Sequence, residues 1–328
     1  MSHTGKIIKS IAGFYEVYSS GTIYRCRARG VFRALQVKPL VGDNVEFDIT
    51  DTVSVPKEGS ITALLPRQND LIRPNVANVD QALLLFAVTN PAPSFNMLDR
   101  FLIAMDRRGM PAILCFNKLD LALPEQVEEL RGVYGGCGCR VLFISAREED
   151  SFRALQALLS GKTTVLAGPS GAGKSTLINR LCPNANMETG ELSHRIERGK
   201  NTTRHVELLY AGPSASADSG ASDDAEAGLS VPAAAEDSAA EESAGTFLVD
   251  TPGFTSLDLL DVTARDLKDY YPEFEPYFGK CRYQGCAHLS EPGCAVKKAV
   301  KEGKISRIRY ANYTEIYADL KDRKPTYS

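Results

Sequence analysis

Four absences in this chain of 328 residues limit what it can be. No apolar stretch approaches the roughly 18 to 20 residues that a membrane-spanning helix needs. The longest, Gln81 to Val88, has the length of a buried strand. The start, Met-Ser-His-Thr-Gly-Lys, has no apolar core of signal-peptide length. The expectation is a soluble, cytoplasmic protein with no membrane partner. Five of the eight cysteines (Cys26, Cys115, Cys137, Cys139, Cys182) show no disulfide-framework spacing, which fits a reducing compartment. Finally, residues 211 to 245 hold no basic and no aromatic side chain. Such a segment buries too little apolar surface to offset its ordering entropy, and it is predicted to be a disordered insertion. Its closure cost rises only with the logarithm of its length.

That insertion also hides the charge pattern. Removing its eight acidic charges from the formal net charge of −3 leaves +5. Residues 1 to 40 carry seven Lys or Arg against Glu16 alone, and residues 280 to 328 carry eleven against five acids. Both ends are basic, and nucleic acid remains a candidate partner.

From residue 1 to about 70, short β-rich runs alternate with turn residues. The runs are Ile11 to Val17, Thr22 to Ala28, Asn44 to Asp48 and Ser60 to Leu65, and the spacing predicts a small β-barrel. Arg25, Arg27 and Arg29 occupy alternate positions, a pattern that suits either a phosphate-tracking row or a solvated strand face. From Val79 onward, strand and helix patterns alternate, as in a parallel sheet covered by helices. Met97 to Arg108 has helical spacing, with Leu98, Phe101, Leu102 and Met105 on one side.

The segment Gly168, Pro169, Ser170, Gly171, Ala172, Gly173, Lys174, Ser175, Thr176 follows an apolar strand and opens a helix. In that context the glycines turn consecutive N–H groups towards a phosphate, and the helix N-terminus adds partial positive charge. Lys174 is expected to reach the β- and γ-phosphates and Ser175 to hold Mg²⁺. The phosphate loop alone leaves ATP and GTP open. Asn117, Lys118, Leu119 and Asp120 at the end of a predicted strand decide for GTP, because the Asp120 carboxylate can accept from both the ring N–H and the exocyclic amine of guanine. Adenine would leave that carboxylate partly unpaired, at a cost of about 1 to 3 kcal/mol or more. Ser145 and Ala146, at the next strand end, are positioned to offer a backbone N–H to the guanine oxygen.

Asp250-Thr251-Pro252-Gly253 suits a water-bridged Mg²⁺ contact at Asp250 and a backbone N–H at Gly253 that senses the γ-phosphate. In Gly199-Lys200-Asn201-Thr202-Thr203-Arg204 a threonine completes the Mg²⁺ shell, with Thr203 favoured over Thr202. Phe254 occupies the place where many GTPases put a water-orienting Gln, which predicts slow hydrolysis by the protein alone. His205 lies nearby, although a histidine in such a loop is more often structural.

Cys281, Cys286, His288 and Cys294 supply three sulfurs and one nitrogen, a closed tetrahedral shell for a structural Zn²⁺. Cys137-Gly-Cys139 has no comparable partners and reads as a loop. Downstream, Lys and Arg interleave with Tyr310 and Tyr313, which suits either RNA or a solvated helix with core tyrosines.

With the guanine motif placed before the phosphate loop, the reverse of the usual order, the chain resembles the circularly permuted ribosome small-subunit-dependent GTPase A family. The resemblance covers nearly the whole length. It implies an N-terminal OB-fold RNA-binding domain (1–70), a circularly permuted α/β P-loop GTPase domain (71–260, with the 211–245 insertion) and a zinc-binding α-helical C-terminal module (261–328). It also implies a monomer acting in late maturation of the small ribosomal subunit, binding its rRNA and stimulated by it. Rival readings are an RNA-binding scaffold with a vestigial nucleotide site and a permuted GTPase acting on the large subunit. Two features depart from the family pattern: Asn201 stands where a histidine is common, and the acidic insertion is not expected.

Overall fold

The computed structural model describes residues 2–30, 32, 37–71, 74–183, 206–213, 245–250, 259 and 261–323. The predicted disordered stretch lies, from residue 214 to 244, outside the described residues. Two compact units divide the chain, one formed by Met1–Val79, Gln156–Thr164 and Asn201–Asp250, the other by Asp80–Leu155, Val165–Lys200 and Thr251–Ser328.

In the first unit, β1 (His3–Ile11), β2 (Phe14–Ser19), β3 (Thr22–Ala28), β4 (Asn44–Asp51) and β5 (Lys57–Leu64) run in the order β1-β2-β3-β5-β4 and close through β1–β4 pairing. Alternate residues of these strands point inward, so Ile7, Tyr15, Val17, Cys26, Val45, Phe47 and Ile61 form one buried cluster. The barrel is the expected one, but its first strand is not. The expected run Ile11 to Val17 straddles a tight turn at Ala12 and Gly13, both with positive φ (50° and 84°), and the true β1 begins at His3. Both central residues having φ > 0 matches the right-handed twist of the flanking strands. Ala12 in place of Asn or Asp hid the signal. Of the arginine row, Arg25 and Arg27 are exposed and lie over the Phe14 ring, 4.1 and 4.5 Å from its centroid, while Arg29 pairs with Asp48 at 2.8 Å. After the barrel come the short β6 (Asp70–Leu71) and β7 (Val76–Ala77), which pair with each other.

The second unit is built on β8 (Gln81–Ala87), β9 (Ala112–Asn117) and β10 (Arg140–Phe143), which are parallel, in the order β10-β9-β8, with β11 (Thr163–Ala167) next to β8. Every residue of β8 is buried, as a strand covered on both faces requires. The helices are α1 (Phe95–Asp106), α2 (Pro124–Tyr134), α3 (Glu149–Leu159) and α4 (Lys174–Leu181). The hairpin β12 (Glu207–Pro213) and β13 (Gly245–Asp250) is antiparallel and belongs to the first unit, where Lys9 of β1 pairs with Glu207 at 2.9 Å. The chain ends with α5 (Ala295–Lys301) and α6 (Arg307–Asp322).

Helix α1 begins at Ser94, whose Oγ accepts the Met97 N–H, and it buries Leu98, Phe101, Leu102 and Met105 as the spacing predicts. It also buries Asp99 completely. The Asp99 carboxylate accepts from Arg309 Nη1 at 2.5 Å, Asn312 Nδ2 at 2.9 Å and the hydroxyls of Tyr134 and Tyr271 at 3.1 and 3.3 Å. Arg309 Nε donates to Glu273 at 2.7 Å. Burial works against the guanidinium charge, but Asp99 and Glu273 outweigh it and hold the Arg309 pKa well above its usual value. This network fastens α6 to α1. Removing one member of a buried pair strands the other, at about 3 to 5 kcal/mol, whereas an exposed pair is worth under about 1 kcal/mol. Urea unfolding of Arg309→Ala is therefore expected to show a loss of that larger size, and Arg100→Ala, which removes the half-exposed pair with Asp319, a loss of the smaller.

Candidate functional site

The carboxyl ends of β9, β10 and β11 each lead into one of the expected nucleotide loops, the arrangement in which parallel α/β sheets bind ligands. Asn117, the last residue of β9, is buried, and its side chain does two jobs at once. Nδ2 donates to Ala172 O in the phosphate loop at 3.0 Å, and Oδ1 accepts from the Ala146 N–H at 3.1 Å. One amide thus ties together three loops far apart in sequence. Of Ser145 and Ala146, expected to offer a backbone N–H to a guanine oxygen, the Ala146 N–H is directed at this Oδ1 and the Ser145 N–H donates to Ser151 Oγ at 3.1 Å. Lys118 follows with a left-handed backbone (φ 65°), and its ammonium donates to Asn90 O. Leu119 opens a short 3₁₀ turn, and its N–H donates to Ile144 O at 3.0 Å. Asp120 Oδ1 accepts from Ser145 Oγ at 2.8 Å, which fixes the carboxylate, and Arg147 approaches Oδ2 at 3.9 Å.

The phosphate loop turns between Ala167 and Lys174 through Gly168, Gly171 and Gly173, all with positive φ. Two of these glycines have no substitute. A Cβ on Gly168 would lie 2.0 Å from Leu85 O, and one on Gly173 would lie 2.4 Å from Asn117 Nδ2. The close approach of loop to strand and of loop to Asn117 is therefore possible only without a side chain. Pro169 and Ser170 form the outer part of the turn, Ala172 is buried, and Ser175 and Thr176 lie in the first turn of α4. Lys174 Nζ donates to Gly168 O and Pro169 O at 2.8 and 2.6 Å, which places the ammonium over the loop.

Arg180 was not singled out by any motif, yet its Nη1 donates to Ala146 O at 2.6 Å and its guanidinium lies 3.9 Å from the Phe152 ring centroid. It clamps α4 to the Ser145–Ala146 loop. No sequence pattern marks it, because its partner is a backbone carbonyl. Thr203 and Gly253, with Thr202, Asn201, His205 and Phe254, lie outside the described residues, and of Asp250 only the backbone is described, at the end of β13.

The four expected metal ligands converge, with all their donor atoms within 4.8 Å of one another. Cys281 Sγ and Cys294 Sγ are 3.9 Å apart and lie 3.6 and 3.4 Å from His288 Nδ1. A tetrahedral zinc with Zn–S of about 2.3 Å requires edges of about 3.8 Å, so the cluster fits the ion. Backbone N–H groups of Ala295, His288 and Lys297 point at Cys281, Cys286 and Cys294 at 3.3 to 3.4 Å and favour thiolate. Burial pushes the Cys286 thiol up to about 12, a cost that a divalent cation offsets, and burial lowers His288, which keeps its ring neutral and able to ligate. The ligand loop is held from outside. Glu291 accepts from the Ala287 and Leu289 N–H groups, and the Tyr310 and Tyr313 hydroxyls donate to His288 O and Ala287 O at 2.6 and 2.7 Å. The two tyrosines thus support the loop that carries the expected ligands, and Tyr313 is a core residue. Among the described residues no helix is long and apolar enough to cross a membrane.

Comparison with known proteins agrees with this geometry. A family model described as RsgA GTPase matches residues 64–219, and one described as the RsgA N-terminal domain matches residues 4–55. A relative from Agathobacter rectalis, named small ribosomal subunit biogenesis GTPase RsgA, is 43% identical, with 98% of this chain and 99% of its own length aligned. A protein of the same name from Alkaliphilus metalliredigens is 42% identical, with 98% of each chain aligned. The crystal structure of YloQ, described as a circularly permuted GTPase, superposes with a TM-score of 0.69 at 33% identity over 100% of this chain and 98% of that one. YjeQ from Thermotoga maritima gives 0.71 at 28% identity over 99% and 100%. The closed barrel, the inverted order of the guanine and phosphate loops and these similarities lead to one conclusion: the chain belongs to the RsgA family of circularly permuted GTPases.

Proposed function

We propose that this chain hydrolyses GTP to GDP and phosphate in the cytoplasm as a late step in maturation of the small ribosomal subunit, working as a monomer that grips rRNA in its GTP state. The observation that carries the proposal is the Asn117 amide, which holds the expected base-recognition and phosphate loops on one framework. The relatives' shared name supplies the ribosomal step.

In this reading Asp120, oriented by Ser145, accepts from the guanine edge, and the Lys118 stem packs along the base while Leu119, Ser145 and Ala146 close its surroundings. The backbone N–H groups of Gly168 and of Ser170 through Thr176 surround the phosphates, Pro169 having none to offer. Lys174 exchanges its hold on the Gly168 and Pro169 carbonyls for the β- and γ-phosphates, a charge-assisted contact in place of two neutral acceptors. Ser175, Thr203 and Asp250 would hold Mg²⁺, which when bound would neutralise charge developing on the phosphoryl oxygens. Gly253 senses the γ-phosphate through its N–H.

The functional modules follow the boundaries 1–70 for the RNA-binding barrel, 71–260 for the GTPase and 261–328 for the zinc module. The permutation makes the γ-phosphate sensor lead into the zinc module across about 30 residues, so a γ-phosphate-dependent movement starting at Asp250 to Gly253 has a short route through the sequence to a basic segment. With Phe254 unable to hydrogen-bond an attacking water, the small subunit completes the hydrolytic site.

Turnover of GTP by the purified protein, with and without isolated small subunits and with large subunits as control, tests this reading. Stimulation by small subunits only is expected, approaching the roughly 10³- to 10⁵-fold that a partner-supplied group provides. Equal slow turnover in all three mixtures would refute the partner assignment. Zinc is expected at about one ion per chain and to be lost as pH falls, because acid protonates the thiolates and the imidazole that hold it. Metal analysis after dialysis across pH checks this, with Cys294→Ser reducing retention at every pH.

A further inference from the structure

The loop between α2 and β10 plays no part in the nucleotide site or the metal centre. Its sequence, Cys137-Gly-Cys139, reads as an ordinary connection, yet the structure brings the two sulfurs to 3.3 Å. Gly138 has φ +80°, and the turn it makes folds its two neighbours to the same side. A Cβ at Gly138 would lie 2.7 Å from Pro272 Cγ, so a neighbouring segment covers the turn and holds its shape. Cys137 is buried and Cys139 half-buried, and neither is disulfide-bonded.

The pair differs from the other buried cysteines away from the metal cluster. Burial alone pushes the Cys26 and Cys182 thiols up to about 12, and it raises Cys115 as well, which leaves all three inert as nucleophiles. Cys137 moves the other way, down to about 7. Either sulfur can donate in the contact between them; once Cys137 is ionised the donor must be the Cys139 S–H, and this hydrogen bond outweighs the burial that opposes the charge, with the nearby Arg309 guanidinium adding to the effect. Cys139 is correspondingly raised, chiefly by the same hydrogen bond. One sulfur is thus prepared as thiolate and the other, in van der Waals contact with it, as thiol.

We infer that Cys137 and Cys139 form a dithiol site that reduces hydrogen peroxide and closes to an intrachain disulfide. In the first step the Cys137 thiolate attacks one peroxide oxygen. The S–O bond forms, the O–O bond breaks and hydroxide leaves, giving the sulfenic acid at Cys137. In the second, the Cys139 sulfur attacks Cys137 Sγ, the S–S bond forms, and the sulfenic oxygen leaves as water with the Cys139 proton. Two thiols and one peroxide become one disulfide and two waters. The sulfurs must close from 3.3 Å to about 2.0 Å, a movement within the reach of side-chain rotation in a short loop.

Trypsin releases both residues, and no other cysteine, in the peptide Gly132–Arg140. The zinc-loaded full-length protein is treated with stoichiometric hydrogen peroxide, alkylated, digested and analysed by mass spectrometry, with released zinc followed in parallel. The expected product is this peptide, unalkylated and lighter by two hydrogens, formed before zinc is released and before Cys26, Cys115 or Cys182 is modified. In Cys139→Ser, the Cys137 sulfenic acid should persist and react with dimedone. A wild-type peptide that remains alkylatable until zinc is lost, or that gains oxygen atoms at Cys137 in place of the disulfide, overturns the inference. Equal dimedone labelling of Cys139 in Cys137→Ser overturns the assignment of Cys137 as the attacking sulfur.

Discussion

The nucleotide half of this molecule depends on what one buried amide can reach. Asn117 has a donor and an acceptor, and both are used across chain separations that no local interaction could span, to Ala172 O and to the Ala146 N–H. A buried polar group left unpaired costs about 1 to 3 kcal/mol, so the loops are held where both bonds are satisfied. The same side chain explains why Gly173 has no substitute, since any Cβ would occupy the space of Nδ2. Arg180 then adds a second tie between α4 and the Ser145–Ala146 loop from the other end of the helix. Permutation of the chain leaves these contacts intact because none of them depends on the order in which the loops are connected.

The C-terminal segment is fixed by two different kinds of physics. The Cys281, Cys286, His288 and Cys294 cluster is a converged donor set that would act as a local staple with its metal bound, closing a loop of short span and supported by Tyr310 and Tyr313. The Asp99, Arg309 and Glu273 network is long-range and buried, and it defines where α6 lies on α1. Such a network contributes more to specificity of packing than to net stability, because desolvation consumes most of the Coulomb energy.

Much of this was legible in the sequence, and the reasons are physical. The expected phosphate loop, guanine tetrapeptide and metal ligands are short motifs whose chemistry demands fixed residue types at fixed spacing, and of these the ligand set converged as expected. The buried face of α1 was legible because 3.6-residue periodicity records burial directly. Asp99 on that same helix was not, because its partner Arg309 is some two hundred positions away and neither residue signals burial alone. The start of the barrel was misplaced because Ala12-Gly13 lacks the usual turn residues, although its backbone is that of a tight hairpin. The pattern around Tyr310 and Tyr313 suited either RNA or a helix with core tyrosines, and only tertiary contacts reveal that their hydroxyls hold the ligand loop. The sulfur contact at Cys137 and Cys139 depends on the φ of Gly138, which composition does not specify.

The most direct test of the account is the equilibrium affinity for GDP of Asn117→Ala, measured with its zinc content and urea stability. If the buried amide organises the site, affinity should fall by about 10- to 100-fold, the equivalent of losing one or two buried hydrogen bonds, while the metal module, remote from β9 in sequence, keeps its zinc. An affinity within about twofold of the wild type, in a protein of undiminished stability, would show that the three loops are positioned independently and would contradict the account.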